Sequence, residues 1–308
     1  MRLALLVSAL FAGACCSSLP KLAEKRVPFP SRAASNADVR VTRESWHDAK
    51  RDRDVPVTIY APAAAHAKLP VVVFSHGIGE DRDSYAYLGR ALAQHGYLAV
   101  HVTHAGTDRA VLERGYRFLY RAVKEKINWI NRPLDVSFAL DQLASRDDAD
   151  LARVAIAGHS AGAFTAFALA GIRFADGGVL RDPRVKVAVA MSMPRMDGVV
   201  APDGYDSIAI PLLNLTGTCD TSLIYRTFPK HRRIPFESTH ATRQYLVTLA
   251  HVTHNTFSNA TDERHDEIVA ITLAFLDAYL RNDAAARAWF DEPGRGALTG
   301  TSLSVERK

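Results

Sequence analysis

Three observations predict an α/β protein with a mostly parallel central sheet flanked by helices on both faces. Short strand-like segments alternate with helix-like ones, the strands are apolar on both faces, and a glycine-flanked serine sits where one strand runs into a helix. Strand character falls at 55–60, 70–74, 97–103, 153–157, 185–190, 212–216 and 245–250, all rich in Val, Ile and Leu. Helical stretches are expected at 84–95, which stops before Gly96, and at 134–144 and 161–172. The longest, 263–281, carries an apolar stripe through Ile268, Ile271, Phe275 and Leu276. Two stretches interrupt the alternation. Residues 105–131 are basic and aromatic, and 221–242 contain Lys230-His231-Arg232-Arg233 between Pro229 and Pro235. Each reads either as an excursion over a site or as a solvated insertion, with a solvated loop the default for the basic cluster.

Composition narrows the function classes. The chain has 308 residues, 48% of them hydrophobic and 23% charged, with a net charge of +5. So mild a charge over such a length does not point to nucleic acid. No apolar run approaches the roughly 20 residues that cross a bilayer as a helix. Residues 1–14 read as an export signal: Arg2, an apolar stretch, then Ala12-Gly13-Ala14 ahead of Cys15. A lipidated Cys15 would tie the protein to a membrane. The expected organisation is a signal at 1–14, a flexible linker at 15–38 and one domain at 39–308. Cleavage would remove Arg2 and take the charge from +5 to +4. Of three cysteines, Cys15 and Cys16 are adjacent at the processing site and Cys219 stands apart, so no disulfide framework is expected.

The chemical signal is Gly158-His159-Ser160-Ala161-Gly162, between the strand RVAIA and the helix AFTAFALAGI. A turn this sharp requires Gly158 and Gly162, because side chains there would strike neighbouring backbone. Ser160 becomes the candidate nucleophile. A serine hydroxyl needs a base to take its proton and an acid to orient that base, in the chain order serine, carboxylate, histidine. Among Asp176, Asp182, Asp197, Asp203, Asp206, Asp220 and Glu237, only Asp220 follows directly on an apolar strand. His254, in a short loop after the strand YLVTLA, is the candidate base, with His251 as the fallback over His231, His240 and His265. The backbone N–H groups of Ala161 and Ile78 are the candidate oxyanion donors. His76 precedes the nucleophile and is expected to brace the Ile78 loop.

The runs VVVFSHGIGEDRDSYAYLGRALAQHGYLAVHVTHAGTD, GHSAG, TGTCD and HVTHNTF resemble the serine α/β-hydrolases grouped around secreted platelet-activating-factor acetylhydrolase. Dienelactone-hydrolase-like proteins and, more distantly, polyester-degrading cutinase-like enzymes share the arrangement. The resemblance covers residues 39–290 and implies an α/β-hydrolase fold, with Ser160, Asp220 and His254 as triad and Ile78 and Ala161 as oxyanion hole. It further implies an exported, periplasmic or secreted esterase acting on small-molecule or lipid esters, short acyl chains favoured. True dienelactone hydrolases use cysteine where this chain has Ser160. A non-catalytic binding protein, a thioesterase or a peptidase on the same fold are the alternatives. His101-x-x-His104 and His251-x-x-His254 lack the further ligands of a metal site, and no phosphate loop or dinucleotide fingerprint is present, so no metal or organic cofactor is expected.

Overall fold

The computed structural model describes residue 34 and residues 38–64, 67–291 and 303–308. The expected signal at 1–14, Cys15, Cys16 and most of the 15–38 linker lie outside the described residues. The described strands form one nine-stranded sheet in the order β1-β2-β4-β3-β5-β6-β7-β8-β9. These are β1 (Val39–Asp48), β2 (Arg53–Pro62), β3 (Leu69–Ser75), β4 (Leu98–Val102), β5 (Ala149–His159), β6 (Val185–Met191), β7 (Leu212–Cys219), β8 (Gln244–Thr253) and β9 (Leu303–Arg307). Strands from β4 through β8 pair in parallel, whereas β1–β2, β2–β4 and β8–β9 are antiparallel. The seven expected strands all occur, and β1 and β9 add to them.

Helices cover both faces, and each face buries its own apolar cluster. On one side α1 (Ala86–Gln94), α8 (His265–Leu280) and α9 (Ala284–Asp291) pack through Leu88, Leu92, Ile271, Phe275 and Phe290. On the other, α4 (Lys126–Leu143) and α5 (Ala161–Ala170) pack through Val136, Leu140, Phe164 and Phe167. Every residue of α5 is buried, which fits a helix of Ala, Gly, Phe, Leu and Thr with no polar face. Each fully buried Leu, Ile or Phe contributes on the order of 1.5–3 kcal/mol.

The expected helix at 134–144 is longer, because α4 starts at Lys126 and holds Pro133 inside it. The 105–131 stretch is itself helical: α2 (Arg109–Glu113), α3 (Tyr116–Lys124) and the first turn of α4. The 221–242 stretch contains α6 (Pro229–Arg232) and α7 (Ile234–Ser238). No helix among the described residues is long and apolar enough to cross a membrane. Cys219, at the end of β7, is buried, and the other two cysteines, Cys15 and Cys16, lie outside the described residues.

Candidate active site

The parallel strands deliver their carboxyl ends to one edge of the sheet, where ligands bind in open α/β folds. Ser160 stands between β5 and α5 with φ 56° and ψ −115°, a conformation that L-residues rarely adopt. The crowding that forces this turn is visible at both flanking glycines. A Cβ on Gly158 would lie 2.3 Å from the Gly162 carbonyl oxygen, and one on Gly162 would lie 1.8 Å from the Ser75 carbonyl oxygen. The elbow is thus pressed directly against the end of β3.

Asp220 follows β7 and His254 follows β8. His254 Nε2 lies 3.1 Å from Ser160 Oγ, and His254 Nδ1 lies 2.9 Å from Asp220 Oδ1. Asp220 is fully buried, so its charge needs partners. Its Oδ2 accepts from Ser192 Oγ and, at 2.7 Å, from Thr216 Oγ1. Burial alone would push the Asp220 carboxyl up. The Arg232 charge and the hydrogen bonds from His254 and Ser192 hold it well below the usual carboxylate range instead. Burial lowers His254, Asp220 pulls it back up, and Arg232 lowers it again, for a net shift downward. The imidazole therefore stays neutral, the state a base requires.

Ile78 lies in the loop after β3. The neighbouring Gly77 N–H donates to Glu80 Oε2 at 2.9 Å, and the Gly79 N–H donates to the Thr107 carbonyl at 2.8 Å. The Ile78 N–H between them has no acceptor among the described residues. Ala161 is the first residue of α5, where helix amides have no intrahelical partner. His76 braces this loop: its Nδ1 donates to the Gly77 carbonyl at 2.6 Å, and its Nε2 accepts from the His104 N–H at 3.0 Å. His251 makes no contact with Ser160 or Asp220; its N–H donates to Thr218 Oγ1 at 2.9 Å.

Four features of the site were not read from the sequence. Arg232 of α6 is buried against Asp220, which corrects its assignment to a solvated basic loop. The second is Ser192, at φ 59° just after β6, whose hydroxyl donates to Asp220. A polar residue at the carboxyl end of an apolar strand is the same signal that singled out Asp220. The third is Tyr85, whose hydroxyl donates to Glu80 and lies 2.7 Å from His159 Nδ1, with the His159 ring 4.6 Å from that of His254. The fourth is a second Ser–His–Asp chain. Ser75 Oγ lies 2.9 Å from His104 Nε2, and His104 Nδ1 lies 3.0 Å from Asp135 Oδ2, all fully buried. Arg132, also buried, donates to Ser75 Oγ at 3.2 Å and to the His76 carbonyl, fixing the strand end from which the Ile78 loop departs.

A groove of about 610 Å³ opens nearby, lined by Trp129, Ile130, Phe164, Phe174, Leu180 and Met196. Phe164 lies one turn past Ser160 on α5, and the Trp129 ring meets it edge-on at 5.0 Å. Trp129 also faces Tyr225 at 6.0 Å, whose hydroxyl is buried with no hydrogen-bond partner among the described residues. Among the described residues, no group of three or more His, Cys, Asp or Glu side chains could hold a metal ion.

A mostly parallel sheet whose central strand ends in a strained serine elbow defines the α/β-hydrolase fold, and this chain has it. Comparison with known proteins agrees. Residues 33–181 match the chlorophyllase family model. A platelet-activating factor acetylhydrolase from Cavia porcellus is 28% identical over 149 residues, covering 36% of this chain and 34% of that protein. The alignment thus spans about a third of that relative's length. The family match takes in the Ile78 loop and the Ser160 elbow and ends ahead of Asp220 and His254.

Proposed function

We propose that this chain is an exported serine hydrolase that cleaves carboxylic esters through Ser160, His254 and Asp220. The observation that carries the reading is the continuous chain from Ser160 Oγ to His254 Nε2, 3.1 Å, and from His254 Nδ1 to Asp220 Oδ1, 2.9 Å. The similarity to an acetylhydrolase and to the chlorophyllase family supports ester chemistry. Export rests on the sequence of residues 1–14, and residues 39–308 are read as the hydrolase domain.

In this mechanism His254 Nε2 takes the Ser160 proton as Oγ attacks the ester carbonyl carbon. Asp220 accepts from Nδ1–H, which fixes the tautomer and favours the imidazolium as it forms. The oxyanion of the tetrahedral intermediate is received by the Ile78 and Ala161 N–H groups. Collapse expels the alcohol, protonated by His254, and leaves an acyl group on Ser160. Water, deprotonated by His254, then attacks the acyl carbon and releases the acid. The apolar groove beside Phe164 and Trp129 supports a substrate with a hydrocarbon arm, as in a lipid ester.

The test is hydrolysis of p-nitrophenyl acetate, butyrate and octanoate by the parent and by Ser160→Ala. The reading expects turnover by the parent and a loss of at least about 1,000-fold in the variant. Equal rates would overturn it. A folded parent inert to every ester would favour a binding protein.

A further inference from the structure

Arg232 is the residue whose surroundings depart most from its sequence context. It lies in Lys230-His231-Arg232-Arg233, yet its side chain is 0% exposed, whereas the adjacent Arg233 reaches outward to Glu306 and Glu237. All three nitrogens are engaged. Nη1 donates to the Ser192 carbonyl at 2.8 Å and the Met193 carbonyl at 2.7 Å, and Nε reaches the Asp220 carbonyl at 3.4 Å. Nη2 lies 2.9 Å from Asp220 Oδ1 and 3.0 Å from His254 Nδ1. The guanidinium therefore ties α6 to the ends of β6 and β7 and stands against both the acid and the base.

We propose that Arg232 is a positioning residue for the Asp220–His254 pair, clamping the carboxylate from behind and holding a fixed positive charge against the imidazole. This rests on the reading of His254 as the base. Asp220 Oδ1 is shared, so Arg232 competes with the histidine for the same negative charge. An imidazolium beside a guanidinium is costlier than one beside a lone carboxylate. The arrangement keeps His254 neutral to lower pH than an Asp–His pair without the arginine would.

The other groups around His254 leave Arg232 as the distinguishing charge. From the end of β7 come Asp220 and Thr216, and from the end of β6 comes the neutral Ser192. From the β5 elbow come Ser160 and His159, the latter fully buried and held well below its ordinary range by burial and by His254. Glu80 reaches the base only through Tyr85 and His159. Thr253 at the end of β8, and Thr256 and Phe257 just after it, are uncharged.

The test compares Arg232→Met and Arg232→Lys with the parent, following the pH dependence of kcat/KM on p-nitrophenyl acetate and the His254 imidazole titration by NMR, assigned with His254→Gln. In Arg232→Met the acid limb and the imidazole midpoint move up by about one pH unit. Arg232→Lys, which keeps the charge but not the planar fork, melts lower while its midpoint stays near the parent's. A folded Arg232→Met with the parent's midpoint, or an Arg232→Lys midpoint displaced as far as that of Arg232→Met, overturns the proposal. If Arg232→Met does not fold, Arg232→Gln carries the same expectation while keeping an N–H for the Ser192 carbonyl. The NMR titration needs no turnover, so an inert parent would refute the esterase reading while the titration still decides the role of Arg232.

Discussion

Gly162→Ala tests whether the elbow's geometry, rather than the mere presence of Ser160, sets the rate. A Cβ at this position would lie 1.8 Å from the Ser75 carbonyl oxygen, 2.5 Å from its carbon and 3.1 Å from the His76 carbonyl oxygen. Real Cβ contacts essentially never fall under 3.0 Å, so helix start or strand end must retreat by about 1.2 Å, the difference between 3.0 and 1.8 Å. Both obstructing atoms are backbone, and β3 is pinned in the sheet between β4 and β5. The displacement therefore falls on Ser160 and on the Ile78 loop together. A shift of about 1 Å in reacting geometry costs on the order of 100-fold in rate. Overpacking of this kind costs about 1–3 kcal/mol, or roughly 3–10 °C in melting temperature for a domain of this size. Gly177→Ala is the control: at φ +84° it also strains the backbone, but nothing lies within 4 Å, so it should destabilise without slowing turnover. The assay is p-nitrophenyl acetate hydrolysis alongside thermal melting by circular dichroism. A Gly162→Ala protein with most of the parent's rate and an unmoved melting temperature would refute the reasoning.

Acid should destabilise the fold through its buried histidines. Burial holds His76, His101, His104 and His159 below the ordinary value of 6.5, with His101 and His104 down to about 4. The unfolded chain takes up protons near pH 6.5 that the native state refuses until about pH 4, so stability is present above pH 6.5 and falls as pH drops through that window. Each such group contributes up to about 1.4 kcal/mol per pH unit, and a melting temperature equal at pH 7 and pH 5 would contradict this. Ser75→Ala should cost about 1–3 kcal/mol, because His104 and Arg132 lose a buried partner, yet it should keep most of its turnover; a collapse to the level of Ser160→Ala would contradict the assignment. Tyr225→Phe removes a buried hydroxyl that has no partner among the described residues, so its melting temperature should equal or exceed the parent's, and a clear fall would contradict this.

How much of this was legible in the sequence depended on whether a residue's chemistry matched its surroundings. The strands from β2 to β8 announced themselves because both faces are largely buried and their sequences are mostly apolar. Strand β1 did not, since VRVTRESWHD alternates charged and apolar residues along an edge with one exposed face. The helix expected at 134–144 begins earlier, because α4 runs through Pro133 from Lys126. That the elbow, Asp220 and His254 come together was legible, because chain order and strand ends constrain where they fall. Arg232 was not, because an arginine among Lys230, His231 and Arg233 reads as solvated, and only the fold turns its side chain inward. The Ser75–His104–Asp135 chain was equally hidden. His104 was noticed only as half of a His-x-x-His spacing, while its partners come from β3 and α4.

The presence of two Ser–His–Asp chains makes one measurement decisive. Ser160 lies at the strained elbow at the carboxyl edge of the sheet, and Ser75 is sealed beneath it at the end of β3. The folded protein would be treated with a fluorophosphonate and digested with trypsin, and the adduct located by mass spectrometry. A single adduct at Ser160, in the peptide spanning residues 154–173, is the predicted result. No adduct on folded protein, or an adduct at Ser75 in the peptide spanning 69–82, would contradict the assignment of Ser160 as nucleophile.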